Sequence, residues 1–166
     1  QHGPILRVVF GPRDPSYISP ILSAIQSDLC ESGIDGVLST HIQRDALEKF
    51  SYVSPIGAAG VYLHAVAGDF QKEGPARELF KSMIREISAL AAAMGYPFEK
   101  DYVKINLEIL SNLSADATTS MQRDIMEGKP SELDGLVMEP LRLAKKYSVS
   151  MPCYEEVAKV LCPLEF

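Results

Sequence analysis

The sequence predicts an all-α domain that carries one short strand at its N-terminal end. Three observations predict it. Apolar residues recur at three- and four-residue steps through most of the chain, and Gly or Pro stands where those runs stop. A single early segment, Ile5–Phe10, has the β-branched, apolar character of a strand.

The elements follow in order. Ile5–Phe10 ends at Gly11-Pro12 and reads as a strand without a sequence-local partner, as the last strand of a sheet formed elsewhere would. Residues 1–14 are therefore expected to be a trailing strand and linker, and residues 15–166 a helical domain. Ile18, Ile21, Leu22, Ile25 and Leu29 give the first helix, with Gly33 placed to end it. Gly36–Thr40 reads as a brief extended link. Residues 45–68 form a long helical stretch, apolar on nearly all sides and therefore buried, in which Pro55 is expected to make a kink or break. Pro75 suits the first turn of the next helix. Its stripe is Leu79, Phe80, Met83, Ile84, Ile87, Leu90 and Met94, stopped by Gly95 and Pro97. Val103, Leu107, Leu110 and Leu113 predict a fourth helix, and Ser114–Thr119 a loop. A short helix over 120–127 is closed by Gly128. Ser131-x-x-Asp134 resembles a capping box opening a helix to about Tyr147, disturbed by Pro140. Pro152 precedes a last helix over 154–161.

Composition narrows the function. The chain has 166 residues, 46% hydrophobic and 23% charged, with a net charge of −6. That balance suits a globular domain and disfavours nucleic acid, whose phosphates need a basic surface. Cys30, Cys153 and Cys162 are odd in number and far apart, so free, mostly buried thiols in a reducing compartment are expected. His2, His41 and His64 show no ligand spacing, and no metal site is expected. No signal peptide or membrane-spanning run is present, which points to the cytoplasm. The chain starts at Gln1 rather than Met and reads as a piece of something longer.

Motifs for chemistry are sparse. No glycine-rich dinucleotide or phosphate loop appears, and Gly57-Ala58-Ala59-Gly60 does not replace one. The polar candidates are Lys49, Ser120, Asp124, Glu132 and Asp134. Lys49 stands early in an apolar helix, where a desolvated amine can act as an acid near neutral pH. It can equally snorkel to water. Glu132 suits a helix first turn by its charge alone. Ser120 can simply cap a helix starting at Met121. Asp124 and Asp134 suit surface or capping roles.

The stretch Thr119-Ser120-Met121-Gln122-Arg123-Asp124-Ile125-Met126-Glu127-Gly128-Lys129-Pro130-Ser131-Glu132-Leu133-Asp134 resembles the signature of the ketopantoate reductase C-terminal domain. That family carries a Ser-Met pair, an Asp, a Gly-Arg/Lys step and a Thr/Ser-Glu-Ile/Leu-Asp run at this spacing. Tyr147-Ser148-Val149-Ser150-Met151-Pro152 resembles its closing segment, and Ala46-Leu47-Glu48-Lys49-Phe50 its Trp-x-Lys helix start. The resemblance covers essentially the whole chain.

It implies a helical domain like the C-terminal part of 6-phosphogluconate dehydrogenase, paired with a nucleotide-binding Rossmann domain that holds NADPH. The implied reaction is reduction of 2-dehydropantoate (ketopantoate) to pantoate, for pantothenate and coenzyme A biosynthesis. Lys49 matches the lysine that protonates the developing alkoxide. Glu132 matches the glutamate that orients the substrate, and Ser120 a serine that contacts it. A homodimer is implied, and no cofactor-binding residue is expected within this chain. By itself the chain is expected neither to bind NADPH tightly nor to turn over. Three positions depart from the pattern: the tryptophan two before the lysine is Leu47, and asparagines four and eight after it are Val53 and Gly57. Reduction of a different 2-oxoacid, or a non-catalytic helical dimerisation or binding module, are the alternatives.

Overall fold

The computed structural model describes residues 6–14, 16–17 and 19–163. The chain forms two compact units, Gln1–Ala46 and Leu47–Phe166.

In the first unit, β1 (Arg7–Phe10) leads into α1 (Pro20–Glu31) and then β2 (Asp35–Leu38). The two strands pair in parallel, from Arg7 opposite Asp35 to Phe10 opposite Leu38. The N-terminal strand is thus not partnerless, and the extended link is its partner. A β-branched run is no requirement for a strand whose backbone is bonded on one side. Asp35-Gly36-Val37-Leu38 carries a glycine because α1 lies close. A Cβ on Gly36 would come within 3.0 Å of the Leu29 side chain, and Gln26 Nε2 donates to the Gly36 carbonyl at 3.0 Å. Gly33, at φ +79°, turns the chain from helix to strand as expected. Of the segment expected as strand and linker, Arg7–Phe10 forms β1. Ile5 and Ile18 lie outside the described residues.

α2 (Ile42–Leu63) runs from the end of the first unit into the second, which adds α3 (Ala67–Gln71), α4 (Pro75–Ala93), α5 (Tyr102–Ser111), α6 (Ser120–Met126), a π-helical turn (Asp134–Met138), α7 (Glu139–Tyr147) and α8 (Pro152–Leu161). The all-α expectation holds. α4 is the hub, with α3, α5, α7 and α8 all packed on it. Its predicted stripe supplies the centre: Phe80, Met83, Ile84 and Ile87 are fully buried. Burial of each such side chain contributes roughly 1.5–3 kcal/mol.

Pro140 disturbs its helix as expected while Pro55 does not break its own, and each leaves a carbonyl that a distant side chain serves. α2 passes through Pro55 without ending. Pro55 has no N–H for the carbonyl of Ser51, four residues back. Buried Asn106 of α5 takes that place, its Nδ2 donating to the Ser51 carbonyl at 3.0 Å and to Ser51 Oγ at 3.1 Å. Pro140 likewise leaves the carbonyl of Leu136 without a donor. Ser54 Oγ donates to it at 2.6 Å and lies 2.5 Å from the Tyr154 hydroxyl. Since Ser54 has one proton and spends it on Leu136, Tyr154 is the donor to Ser54. The helix expected from Ser131 opens instead as the π turn, with Glu139 N–H bonded to the Asp134 carbonyl. No capping bond forms at Ser131, so that capping-box reading is corrected.

Smaller corrections follow from local hydrogen bonding. Thr119, not Ser120, caps α6: Thr119 Oγ1 accepts the Gln122 N–H and Gln122 Oε1 accepts the Thr119 N–H. Ser120 is the first helical residue. The three cysteines form no disulfide, as expected, but none is fully buried: Cys30 is exposed, Cys153 and Cys162 intermediate. Among the described residues no helix is long and apolar enough to cross a membrane.

Candidate functional site

The site is built on α2. At 3.6 residues per turn, Lys49, Val53 and Gly57 descend one flank of this helix, with Tyr52 and Ile56 beside them. Glycine at 57 is a packing requirement. A Cβ there would lie 3.1 Å from Met121 Cε, and 3.9 Å from both Leu136 Cδ1 and Thr119 Oγ1. Gly60, one turn on, admits Gln122 still more closely: a Cβ would come within 2.8 Å of its carboxamide. Gln122 is buried and fixed there, its Nε2 donating to the Ala65 carbonyl at 2.8 Å. The two glycines therefore let the N-terminus of α6 press against α2.

This geometry places the three predicted residues. Ser120 lies between Thr119 and Met121, the two residues that reach Gly57. Glu132 precedes the π turn and accepts the Leu136 N–H on its carbonyl at 2.8 Å, while Leu136 reaches Gly57 from the other side. Lys49 stands two turns before Gly57, about 12 Å along the helix axis. Two segments distant in sequence thus meet α2 at Gly57, two turns beyond Lys49. Lys49, Ser120 and Glu132 are all exposed. Among the described residues their side chains bond neither to one another nor to other groups, so the lysine amine, the serine hydroxyl and the carboxylate are open to a ligand.

The remaining candidates have other work. Asp134 is bound by Arg142 through two parallel bonds of 2.9 and 2.8 Å. This pairing holds its carboxyl below the usual range. The Asp124 carbonyl accepts the Lys129 N–H at 2.8 Å, where Gly128 at φ +66° closes α6. The Asp134 carboxylate is thus committed to Arg142, and the Asp124 backbone serves the end of α6.

One feature of the site is absent from the motif pattern. A cavity of about 170 Å³ opens between α2, α3 and the cap of α6, lined among others by Tyr52, Ile56, Ala67, Phe70, Thr119 and Gln122. The Tyr52 ring meets Phe80 edge to face with centroids 6.0 Å apart. Its hydroxyl is buried, and among the described residues it is the one buried side-chain polar atom without a partner. Burial pushes its phenol above the ordinary value. Leaving such a group unsatisfied costs about 1–3 kcal/mol. The sequence signal was its spacing, three residues after Lys49 on the same side of the helix. A larger apolar cavity of about 370 Å³ lies farther along α2, lined by Gly60, Val61, His64, Gln122, Ile125 and Met126 among others.

Comparison with known proteins gives the same direction. Over 158 residues the chain is 26% identical to the 2-dehydropantoate 2-reductase of Aquifex aeolicus (strain VF5), spanning 93% of this chain and 51% of that protein. Its fold is similar to that of 2-dehydropantoate 2-reductase from Methylococcus capsulatus, with a TM-score of 0.86 and 24% identity over 99% of this chain and 52% of that one. It is also similar in fold to D-mandelate dehydrogenase in its ternary structure with NADH and anilino(oxo)acetate, with a TM-score of 0.78 and 16% identity over 92% of this chain and 64% of that one. The chain spans about half the length of the reductases it matches. Residues 41–165 match the model for "Ketopantoate reductase PanE/ApbA C terminal", well over half of the sequence, and the chain belongs to that family.

Proposed function

We propose that this chain is the substrate-side half of an NADPH-dependent 2-dehydropantoate 2-reductase, reducing ketopantoate to pantoate in pantothenate and coenzyme A biosynthesis. The reading is supported by a family-matched domain in which the segments carrying Ser120 and Glu132 both meet α2 at Gly57, on the flank that also carries Lys49.

Each group has a task in that reaction. When the keto carbon is reduced, negative charge develops on its oxygen. The Lys49 ammonium stabilises that charge and gives up a proton to it. Glu132 accepts a hydrogen bond from the substrate and fixes its orientation, and Ser120 adds a second polar contact. The nicotinamide cofactor supplies the hydride. The residues here do not fit as its holder: β1 and α1 are joined through residues 11–19, in which Gly11 is the one glycine, not through a glycine-rich turn opening directly onto a helix. NADPH therefore belongs to a nucleotide-binding half of the whole protein, and this chain alone neither binds it tightly nor turns over.

The first unit supports that division. Val8 and Val9 are each 41% exposed, and α1 buries no residue. Elements so uncovered suit the margin of a larger parallel sheet, which is ordinarily buried on both faces. In the same proposal the whole enzyme is a cytoplasmic homodimer that takes a small 2-oxoacid.

The test is NADPH oxidation by the full-length protein with ketopantoate, beside Lys49→Ala and Glu132→Ala. The expected result is turnover that falls on the order of a hundredfold or more without the lysine. Absence of turnover in the wild type, or a Lys49→Ala variant as fast as wild type, refutes the reading.

A further inference from the structure

Leu136, in the π turn, is held through both of its backbone polar groups. Its N–H donates to the Glu132 carbonyl at 2.8 Å, and its own carbonyl accepts from Ser54 Oγ at 2.6 Å. Ser54 stands five residues after Lys49 on α2, about 140° around the helix and about 7.5 Å along it. One helix therefore carries Lys49 on an exposed side and Ser54, 0% exposed, on a buried one. The second bond of the Ser54 hydroxyl comes from Tyr154, whose N–H is bonded in turn to Glu86 of α4 at 3.1 Å. The chain leading into Glu132 has no such support. Residues 125–130 are exposed, and Leu133 gives an apolar contact at the edge of the core, which is non-directional. The bond from Ser54 to Leu136 thus gives the Glu132 segment a directional tie to the helix that bears Lys49.

We propose that Ser54 is a positioning residue for the reduction: through Leu136 it sets where Glu132 stands relative to Lys49, without touching substrate itself. The inference rests on the reductase reading above, in which Glu132 orients the substrate. Without the hydroxyl, the π turn loses its link to α2 and the carboxylate is held less well against the substrate. Lys49 keeps its place on the helix.

The test is steady-state reduction of ketopantoate by the full-length protein, beside Ser54→Ala, Tyr154→Phe, Glu132→Ala and the double variant of Ser54→Ala with Glu132→Ala. Each is read well below its melting temperature. In Ser54→Ala kcat/KM should fall roughly tenfold, mainly through KM, as loosening of an orienting contact predicts. In the Glu132→Ala background the same change should cost less than about twofold, because no carboxylate is left to position. Tyr154→Phe removes the other bond to the same hydroxyl and should lower the melting temperature. It leaves Ser54 bonded to Leu136, so kcat/KM should stay within about twofold of wild type. Ser54→Cys, similar in shape and weaker as a donor, takes the place of Ser54→Ala in both backgrounds if the alanine variant does not fold. An equal loss with and without Glu132, an equal loss in Tyr154→Phe, or no loss on changing Ser54 overturns the assignment. A wild type that does not reduce ketopantoate, or a Glu132→Ala variant as active as wild type, instead removes the reading on which the assignment rests.

Discussion

Asn106 and Pro55 should be energetically coupled although no side-chain bond joins them. Asn106→Ala removes the two hydrogen bonds its Nδ2 gives to Ser51. The Ser51 carbonyl then has no donor, because Pro55 offers none. Asn106 and Ser51 are 1% and 0% exposed, so water does not replace the lost donor. Two net bonds of about 0.5–1.5 kcal/mol each, with the acceptor left unsatisfied, amount to a loss of about 2–3 kcal/mol. For a chain of this size that lowers the melting temperature by roughly 4–12 °C. Pro55→Ala restores an N–H to the same carbonyl. In the double variant the regained helical bond should recover about 1 kcal/mol beyond the sum of the two single changes. The assay is urea unfolding followed by circular dichroism for wild type, both single variants and the double. A coupling energy below about 0.5 kcal/mol is ordinary additivity and would refute the account of how α2 passes Pro55.

Three further outcomes concern α8 and its cysteine. Glu86 of α4 caps this helix, Oε1 accepting the Cys153 N–H at 2.8 Å and Oε2 the Tyr154 N–H at 3.1 Å. Glu86→Gln keeps the shape but replaces one acceptor by a donor facing an N–H, so unfolding should be easier by about 1–2 kcal/mol in a urea titration. An unchanged midpoint would show that the cap contributes nothing. Burial, with the Glu86 carboxylate second, raises the Cys153 thiol from 9.0 to about 11. Because the folded value is raised, the resulting stability is complete below the unfolded value near 9 and is lost as pH rises toward 11. Urea midpoints measured from pH 8 to 11 should fall more steeply in wild type than in Cys153→Ala, and parallel slopes would contradict this. Iodoacetamide near pH 8 should modify exposed Cys30 before Cys153.

The sequence by itself determined the long helices of the second unit, which bury stripes that their own spacing defines. Phe80 through Leu90 on α4 is the plainest case, and Gly33, Gly95 and Gly128 adopt the positive φ expected at helix ends. It also determined the family, because Ser120, Glu132 and Lys49 sit in a recognisable order. Tertiary structure alone decided what depends on a partner far along the chain. Pro55 was read as a kink or break because its missing donor is local, while the replacement, Asn106, is 55 residues from Ser51. The irregularity at Pro140 is met by Ser54, 82 residues from Leu136. Thr119 displaced Ser120 as the cap because Gln122 had to fold back against Gly60. β2 became a strand only when β1 supplied its hydrogen bonds. The orphaned Tyr52 hydroxyl could not be read in advance either. A side chain's spacing says which face it occupies, but only the packed neighbours of that face decide whether its polar atom finds a partner.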